Sequence, residues 1–258
     1  MKTHDYSKYS EDYAKLGLSG TYYLAFRDIP FLLEEYDKNK SKILDYGCGT
    51  GRSLRFIRDL GYNDIVGVDI NNDMIKEAKK IDPNGKYELI ESAKIPYENN
   101  TFDIIFMSYV FLEVGKFEEI VKILKEFKRV LKQNGFIIFV TSIVTDIKDE
   151  WLSFTYDFEE NNKKLNKCQN LKLLIKDGNI ILHDYNWTKK EYEKAIKKSG
   201  LTLEKIHIPL GKDEDNYEWK SEKTKGYTHI FILSKNKYVL NMGEQWWKSK
   251  IFLINPLN

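Results

Sequence analysis

Apolar residues along this chain fall into two alternating rhythms. Short apolar runs at 41–47, 64–70, 86–92, 101–110 and 136–142 have strand length, and the run at 101–110 is apolar enough to be buried on both faces. The segments between them repeat at helical spacing. In 51–61, Leu54, Ile57 and Leu60 form such a stripe, closed by a glycine. Residues 72–82 read as a helix stopped by Pro83. Residues 116–135 read as a long amphipathic helix with the stripe Ile120, Ile123, Leu124, Phe127, Val130 and Leu131, ending at Asn-Gly. Strands separated by helices predict right-handed crossovers and a parallel sheet covered on both faces.

The rhythm breaks after Ser142. Residues 143–187 are polar and aromatic, with two β-like runs around Lys176-Asp177-Gly178-Asn179 that predict a hairpin. A helix over 188–200 follows, with Thr188 as N-cap and Glu191 completing a capping box. Strands are expected at 201–208 and 227–233. The expected organisation is an N-terminal arm over 1–40, one domain over 41–235 with a small cap insert at about 143–187, and a tail over 236–258 of no clear period.

Composition narrows the class. The chain has 258 residues, 42% hydrophobic and 14% aromatic, enough for one large domain with its own core. Charged residues nearly cancel to a net +2, unlike the strong basic excess of a dedicated nucleic-acid binder, so no nucleic acid is expected. Cys48 and Cys168 form no disulfide framework, and the first residues are polar where a leader would be apolar; a reducing cytoplasm is the expected compartment. No run approaches the ~18 apolar residues of a membrane span, so no membrane is expected. The histidines His4, His183, His207 and His229 have no metal-ligand spacing, so no metal is expected. A monomer and a homodimer are equally open.

The chemistry lies in "ILDYGCGTGRS", 43–53, where an apolar run ends in Asp45 and opens into Gly47, Gly49 and Gly51. Glycines there permit positive φ and bare the backbone to a ligand at the carboxyl end of the first strand. A phosphate-binding P-loop needs Gly-Lys-Ser/Thr, but Arg52-Ser53 follows Gly51. A dinucleotide loop is G-x-G-x-x-G, and here the third glycine falls one residue early. Asp45 would also place a negative charge beside a pyrophosphate, whereas an acid suits a ligand carrying positive charge.

This stretch resembles the first motif of class I S-adenosylmethionine-dependent methyltransferases of the small-molecule type. "VGVDI" fits the second checkpoint, with Asp69 placed 24 positions after Asp45. "IESAKIPYENNTFDIIFMSYVFLEV" and "LKEFKRVLKQNGFIIFV" resemble the adenine loop, fourth strand and fifth strand, so the resemblance covers roughly residues 40–142. It implies a Rossmann-like α/β fold: three α/β/α layers around a seven-stranded, mostly parallel sheet with an antiparallel last strand. It implies S-adenosylmethionine as cofactor and S-adenosylhomocysteine as product. In that resemblance Asp45 helps hold the methionine ammonium, directly or through water. Gly47, Cys48, Gly49 and Gly51 pack under the methionine and ribose, and Asp69 takes the ribose hydroxyls. Ile70 and Met74 lie at the adenine, Ser92 or Ala93 meets its edge, and Ser108 and Tyr109 face the sulfonium. In the arm, Arg27 would pair with the methionine carboxylate and Tyr22 would line the sulfonium side.

The expected reaction is in-line methyl transfer to a small-molecule acceptor. The acceptor pocket should come from the arm, the insert and the last loop, which carry Tyr9, Tyr13, Tyr22, Trp151, Phe154, Tyr156, Trp187 and Trp219. His207, at the end of the sixth strand, is the first candidate base, and Tyr109, at the end of the fourth, is a second catalytic candidate. Alternatives are a protein or RNA methyltransferase, a fold member that uses the donor for other chemistry, and a nicotinamide oxidoreductase, the last disfavoured by the glycine spacing and Asp45. Absence of an Asn/Asp-Pro-Pro-aromatic run after strand four removes one signature of amino-methylating nucleic-acid enzymes.

Overall fold

The computed structural model describes residues 14–34, 36–161, 164–166 and 168–236. The expectations for His4, Tyr9, Tyr13 and tail residues 237–258 lie outside the described residues. The arm supplies α1 (Thr21–Phe26) and α2 (Ile29–Leu33). The alternating part follows as β1 (Ile43–Tyr46), α3 (Arg52–Asp59), β2 (Ile65–Asp69), α4 (Asn72–Ile81), β3 (Lys86–Leu89), β4 (Phe102–Ser108), α5 (Phe117–Val130) and β5 (Leu131–Ser142). The insert carries β6 (Phe154–Thr155), β7 (Gln169–Ile175) and β8 (Ile180–Asn186). α6 (Lys189–Ser199), β9 (Thr202–His207) and β10 (Thr228–Ser234) complete the order.

Seven strands form the main sheet in the order β3-β2-β1-β4-β5-β10-β9. β1 to β5 are parallel, and β10 runs antiparallel to both its neighbours, as expected of the last strand. Alternation along each strand sorts side chains to two faces. Leu44, Ile105, Ile137, Phe139 and Phe231 pack with α5 and α6. Ile43, Ile104, Phe106, Val140 and Ile230 pack with α1, α2, α3 and α4. The insert has a separate core, in which Trp151, Phe154, Tyr156 and Tyr227 meet Leu171, Leu173 and Leu182.

Local chemistry explains the element ends. Asn71 caps α4 by accepting the N–H groups of Asp73 and Met74. Thr188 and Glu191 form the expected capping box of α6. The 176–179 turn joins β7 to β8 with Gly178 and Asn179 at positive φ. α5 is shorter than its apolar stripe predicts. It stops at Val130 rather than near Gly135, because Asn100 N–H and Thr101 N–H donate to the carbonyls of Arg129 and Val130 at 3.0 and 2.7 Å. Leu131 is already extended and pairs with Phe102. Tertiary hydrogen bonds to the lead-in of β4 thus end the helix where periodicity alone would continue it.

Phe139 is fully buried, with Phe111, Phe231 and Tyr192 ring centroids 4.8, 5.0 and 5.1 Å away. Phe139→Ala should lower stability by about 3–5 kcal/mol. Urea unfolding should show a lower midpoint at unchanged slope; an unchanged midpoint would place the centre of the core elsewhere.

Candidate functional site

Strand order reverses between β1 and β4, so the crevice above their carboxyl ends is where an open sheet binds a ligand. The glycine loop fills one side of it. Gly47 N–H and Cys48 N–H donate to Val68 O at 2.7 and 3.1 Å, and Gly49 N–H donates to Asp69 Oδ2 at 2.8 Å. Gly47 and Gly49 have φ of 71° and 52°, the left-handed region that favours glycine. A Cβ on Gly47 would strike the Val110 side chain at 2.2 Å, while one on Gly49 would meet nothing within 4 Å. Bare backbone therefore faces open space at Gly49.

That space is a cleft of about 210 Å³. Eight of the expected residues line it: Gly47 and Gly49 from the loop, Asp69 and Ile70 from β2 and its end, Met74 from α4, Ser92, and Ser108 and Tyr109 from the end of β4. Asp69 accepts Gly49 N–H on one oxygen and Asn71 N–H on the other, both at 2.8 Å. Burial pushes its carboxyl above the usual range, and these backbone donors pull the other way. Ser92 donates to Glu119 at 2.6 Å, which fixes the loop at the far end.

Asp45 stands behind the loop with no exposure to solvent. Ser53 Oγ donates to its Oδ2 at 2.6 Å, and its Oδ1 has no hydrogen-bond partner. Burial raises its carboxyl to about 7; Ser53 opposes the rise and the Asp69 charge adds to it. Cys48 is also buried, and burial pushes its thiol well up, so it is a neutral packing group beside Gly49 rather than a nucleophile. Gly51 caps α3 against the Tyr87 ring, and Ala93, at φ 54°, donates its N–H to the Tyr46 hydroxyl at 3.3 Å. Both shape the walls without lining the cleft.

Two expected roles give way to different ones. Arg27 does not line the cleft. Its guanidinium donates to both oxygens of Asp28 at 2.9 and 3.0 Å, to Asp215 at 3.1 Å and to Leu210 O at 2.9 Å. The fork expected for a ligand carboxylate is engaged by two protein carboxylates. His207 does lie at the carboxyl end of β9, but β9 is the sheet edge, three strands beyond β4. Its Nε2 meets Asp28 Oδ2 at 2.7 Å. Burial raises the Asp28 carboxyl, yet His207 and Arg27 together hold it well below the usual carboxylate range. Arg27, Asp28, His207 and Asp215 are thus a charged clasp that fastens the arm to the sheet edge. His207 engages Asp28 in that clasp and does not line the cleft.

Tyr109 has φ 62° and ψ 10°, a conformation that bulky side chains seldom adopt and that concentrates at functional sites. Tyr22 stands edge-on to it, with centroids 6.0 Å apart. Sequence reasoning missed Asn71, Glu113, Val110 and Tyr46 as cleft residues. Asn71 was legible as the N-cap directly after the strand-end acid. Glu113 and Val110 were not, because a 3-10 turn over Val110–Glu113 brings them in without a periodic signature.

A ligand that fits must bring positively charged N–H groups toward Asp45, hydroxyls to Asp69 and an apolar ring against Ile70, Met74 and Ile90. S-adenosylmethionine has all three; the open space at Gly49 leaves room for it, and the Asp45 oxygen without a partner lies behind the loop.

The comparisons with known proteins agree. Residues 44–139 match the family described as "Methyltransferase domain". An uncharacterised protein of Methanocaldococcus jannaschii is 28% identical over 77% of this chain and 75% of its own length. A demethylmenaquinone methyltransferase of Thermotoga maritima is 27% identical over 43% of this chain, and the match spans under half of that enzyme, 47%. The crystal structure of a putative S-adenosylmethionine-dependent methyltransferase from Listeria monocytogenes superposes with a TM-score of 0.60 at 20% identity, covering 83% of this chain and 97% of that one. Residues 44–139 are thus a methyltransferase domain, and the strand order and strand-end acids are consistent with a class I S-adenosylmethionine-dependent methyltransferase.

Proposed function

We propose that this enzyme transfers the methyl group of S-adenosylmethionine to a small-molecule acceptor. The observation that carries the acceptor class is the closed aromatic wall beside the cleft. Tyr22 meets Tyr109 and Phe154, and Phe154 meets Tyr227, with the Arg52 guanidinium over the Tyr22 ring. The Thermotoga relative acts, by its name, on demethylmenaquinone, which agrees with a small acceptor.

Bound S-adenosylmethionine supplies a methyl group on a positively charged sulfur. The chain's own residues bind and orient. Asp69 has lone pairs left on both oxygens to accept ribose hydroxyls. The backbone of Gly47 and Gly49 underlies the ribose and methionine, and Ile70 and Met74 flank the adenine with Ser92 at its edge. Asp45 takes the ammonium on its unpaired oxygen, directly or through water. Ser108 and Tyr109 form the end of the cleft nearest the acceptor, with Tyr22 packed on Tyr109, and aromatic faces there favour a cation. Positioning supplies much of the rate of such a displacement. A base is needed only if the acceptor must lose a proton, and Tyr109 and Glu113, which both line the cleft, are the candidates for it.

Replacing Asp69 with Ala should weaken S-adenosylhomocysteine binding by about 1–3 kcal/mol, read by titration calorimetry. An unchanged affinity would remove Asp69 from the ribose.

Asp45 gives a pH signature. The ligand ammonium favours ionised Asp45, so affinity should fall about tenfold per pH unit below 7 and level off above it. Asp45→Asn should flatten the profile; a wild-type profile flat from pH 6 to 8 would contradict the assignment. The same group acts on folding with the sign of a raised carboxyl: its contribution is present below about pH 4 and is lost as pH rises through 7. Ligand-free Asp45→Asn should therefore gain melting temperature over wild type at pH 8 and little at pH 4.

A further inference from the structure

Four buried side-chain atoms among the described residues lack any hydrogen-bond partner: Asp45 Oδ1, Ser142 Oγ, Trp151 Nε1 and Thr228 Oγ1. Folded proteins rarely leave such atoms unpaired, and each instance asks for a cause. Asp45 is explained by the donor. The other three are not.

Strand register shows how they relate. Asp45 is level with Phe106, Ser108 is level with Val140, and Ser142 is level with Thr228. Residues two apart share a face, so Asp45, Ser108, Ser142 and Thr228 all lie on the arm side of the sheet. From β1 to β4 to β5 the polar position climbs two residues per strand, about 7 Å each time. The result is a diagonal row that leaves the donor end at Asp45, passes Ser108 and ends at the Ser142–Thr228 pair.

That end point is roofed by aromatic rings. Tyr227 precedes Thr228, and its ring lies 5.1 Å from Trp151 and 4.4 Å from Phe154, centroid to centroid. Phe154 faces Tyr22 at 6.4 Å, and Tyr22 meets Tyr109. Tyr227 is held by a hydroxyl contact of 3.0 Å to Tyr156, which donates to Asp184 at 3.2 Å. Ser142 Oγ lies beside the Tyr227 phenol without a hydrogen bond of proper geometry closing between them. Ser142 and Thr228 are 1% exposed and Trp151 is 3%, so solvent does not serve them either.

We infer that Ser142, Thr228 and Trp151 are the polar anchors of the acceptor subsite, and that they take a small uncharged molecule with a flat unsaturated body and a carbonyl or hydroxyl oxygen. The inference rests on the methyltransferase reading above and deepens it. The indole N–H can only donate, so the acceptor must present an accepting oxygen. The two hydroxyls both donate and accept. The Arg52 guanidinium stands over the Tyr22 ring at 5.2 Å but donates to the Leu16 and Gly17 carbonyls, so the three anchors themselves offer an anionic group no charged partner. Flat rings are the surfaces that Tyr22, Phe154 and Tyr227 can cover with edge or face contacts. Tyr22 belongs to α1 of the arm. The arm is hung there by polar contacts, with Thr21 and Ser153 exchanging hydrogen bonds at 2.9 and 3.1 Å over buried Glu222.

The test uses the full chain saturated with S-adenosylhomocysteine, labelled with ¹⁵N at the tryptophan indoles. The probe is 4-hydroxyacetophenone, with toluene as a flat control lacking oxygen. The Trp151 indole signal, identified by its loss in Trp151→Phe, should move saturably with the probe. Ser142→Ala and Thr228→Val should each weaken probe binding at least fivefold while S-adenosylhomocysteine affinity stays unchanged. Toluene should bind at least fivefold more weakly than the probe. Thr228→Val should melt no lower than wild type, since it removes an unpaired polar atom at nearly constant shape. A Trp151 signal indifferent to the probe would overturn the inference, as would equal probe affinity in the variants or a buried water that alone pairs the three atoms. The wild-type shift needs no variant to fold. Failure of S-adenosylhomocysteine itself to bind would instead strike the donor reading.

Discussion

The hydrogen bond from Gly49 N–H to the Asp69 carboxylate is the contact on which the site depends. It ties the loop after β1 to the end of β2, so one carboxylate both fixes the loop and faces the cleft. Gly47 and Cys48 reinforce the tie through Val68 O. The loop can close so tightly only because its glycines take positive φ, and it then seals Asp45 behind it. A buried carboxylate with one unpaired oxygen is costly in the ligand-free fold. That cost is intelligible if a cationic ligand completes the set. Stability and affinity are thus opposed at Asp45, as they commonly are where a site is shaped in advance for its ligand.

The second organising feature is the attachment of the arm and insert to a conventional sheet. α1 and α2 are only six and five residues long and could not stand as isolated helices. They are held by apolar packing on the sheet, by the charged clasp of Arg27, Asp28, His207 and Asp215, and by the contacts of Thr21 with Ser153 and Glu222. The insert docks through the Trp187 indole, which donates to Val114 O at 2.8 Å. These attachments set Tyr22 against Tyr109 at the cleft, with Phe154 and Tyr227 behind it.

Much of this was legible in the sequence where the determinant is local. Glycine spacing, the strand-end acids, the capping box at Thr188 and the hairpin at 176–179 depend on residues close together in the chain. The misplaced roles have distant causes. Arg27 has one partner next to it in sequence, Asp28, and a second, Asp215, that meets it only when the last loop folds back. His207 was given the correct end of its strand, but strand order, which periodicity does not encode, sets it at the edge. The end of α5 at Val130 was hidden for the same reason, since its carbonyls are captured by residues 100 and 101. Ser142 and Thr228 drew no attention as ordinary polar residues at strand ends, and only the register between β5 and β10 makes them a pair.

The most direct measurement is calorimetric titration of the purified protein with S-adenosylhomocysteine, repeated in buffers of different ionisation enthalpy. Micromolar binding at a single site, with proton release near pH 6.5 that Asp45→Asn abolishes, is the predicted result. A folded protein free of copurified ligand that gives no binding heat, or that binds NADH in its place, would contradict the account.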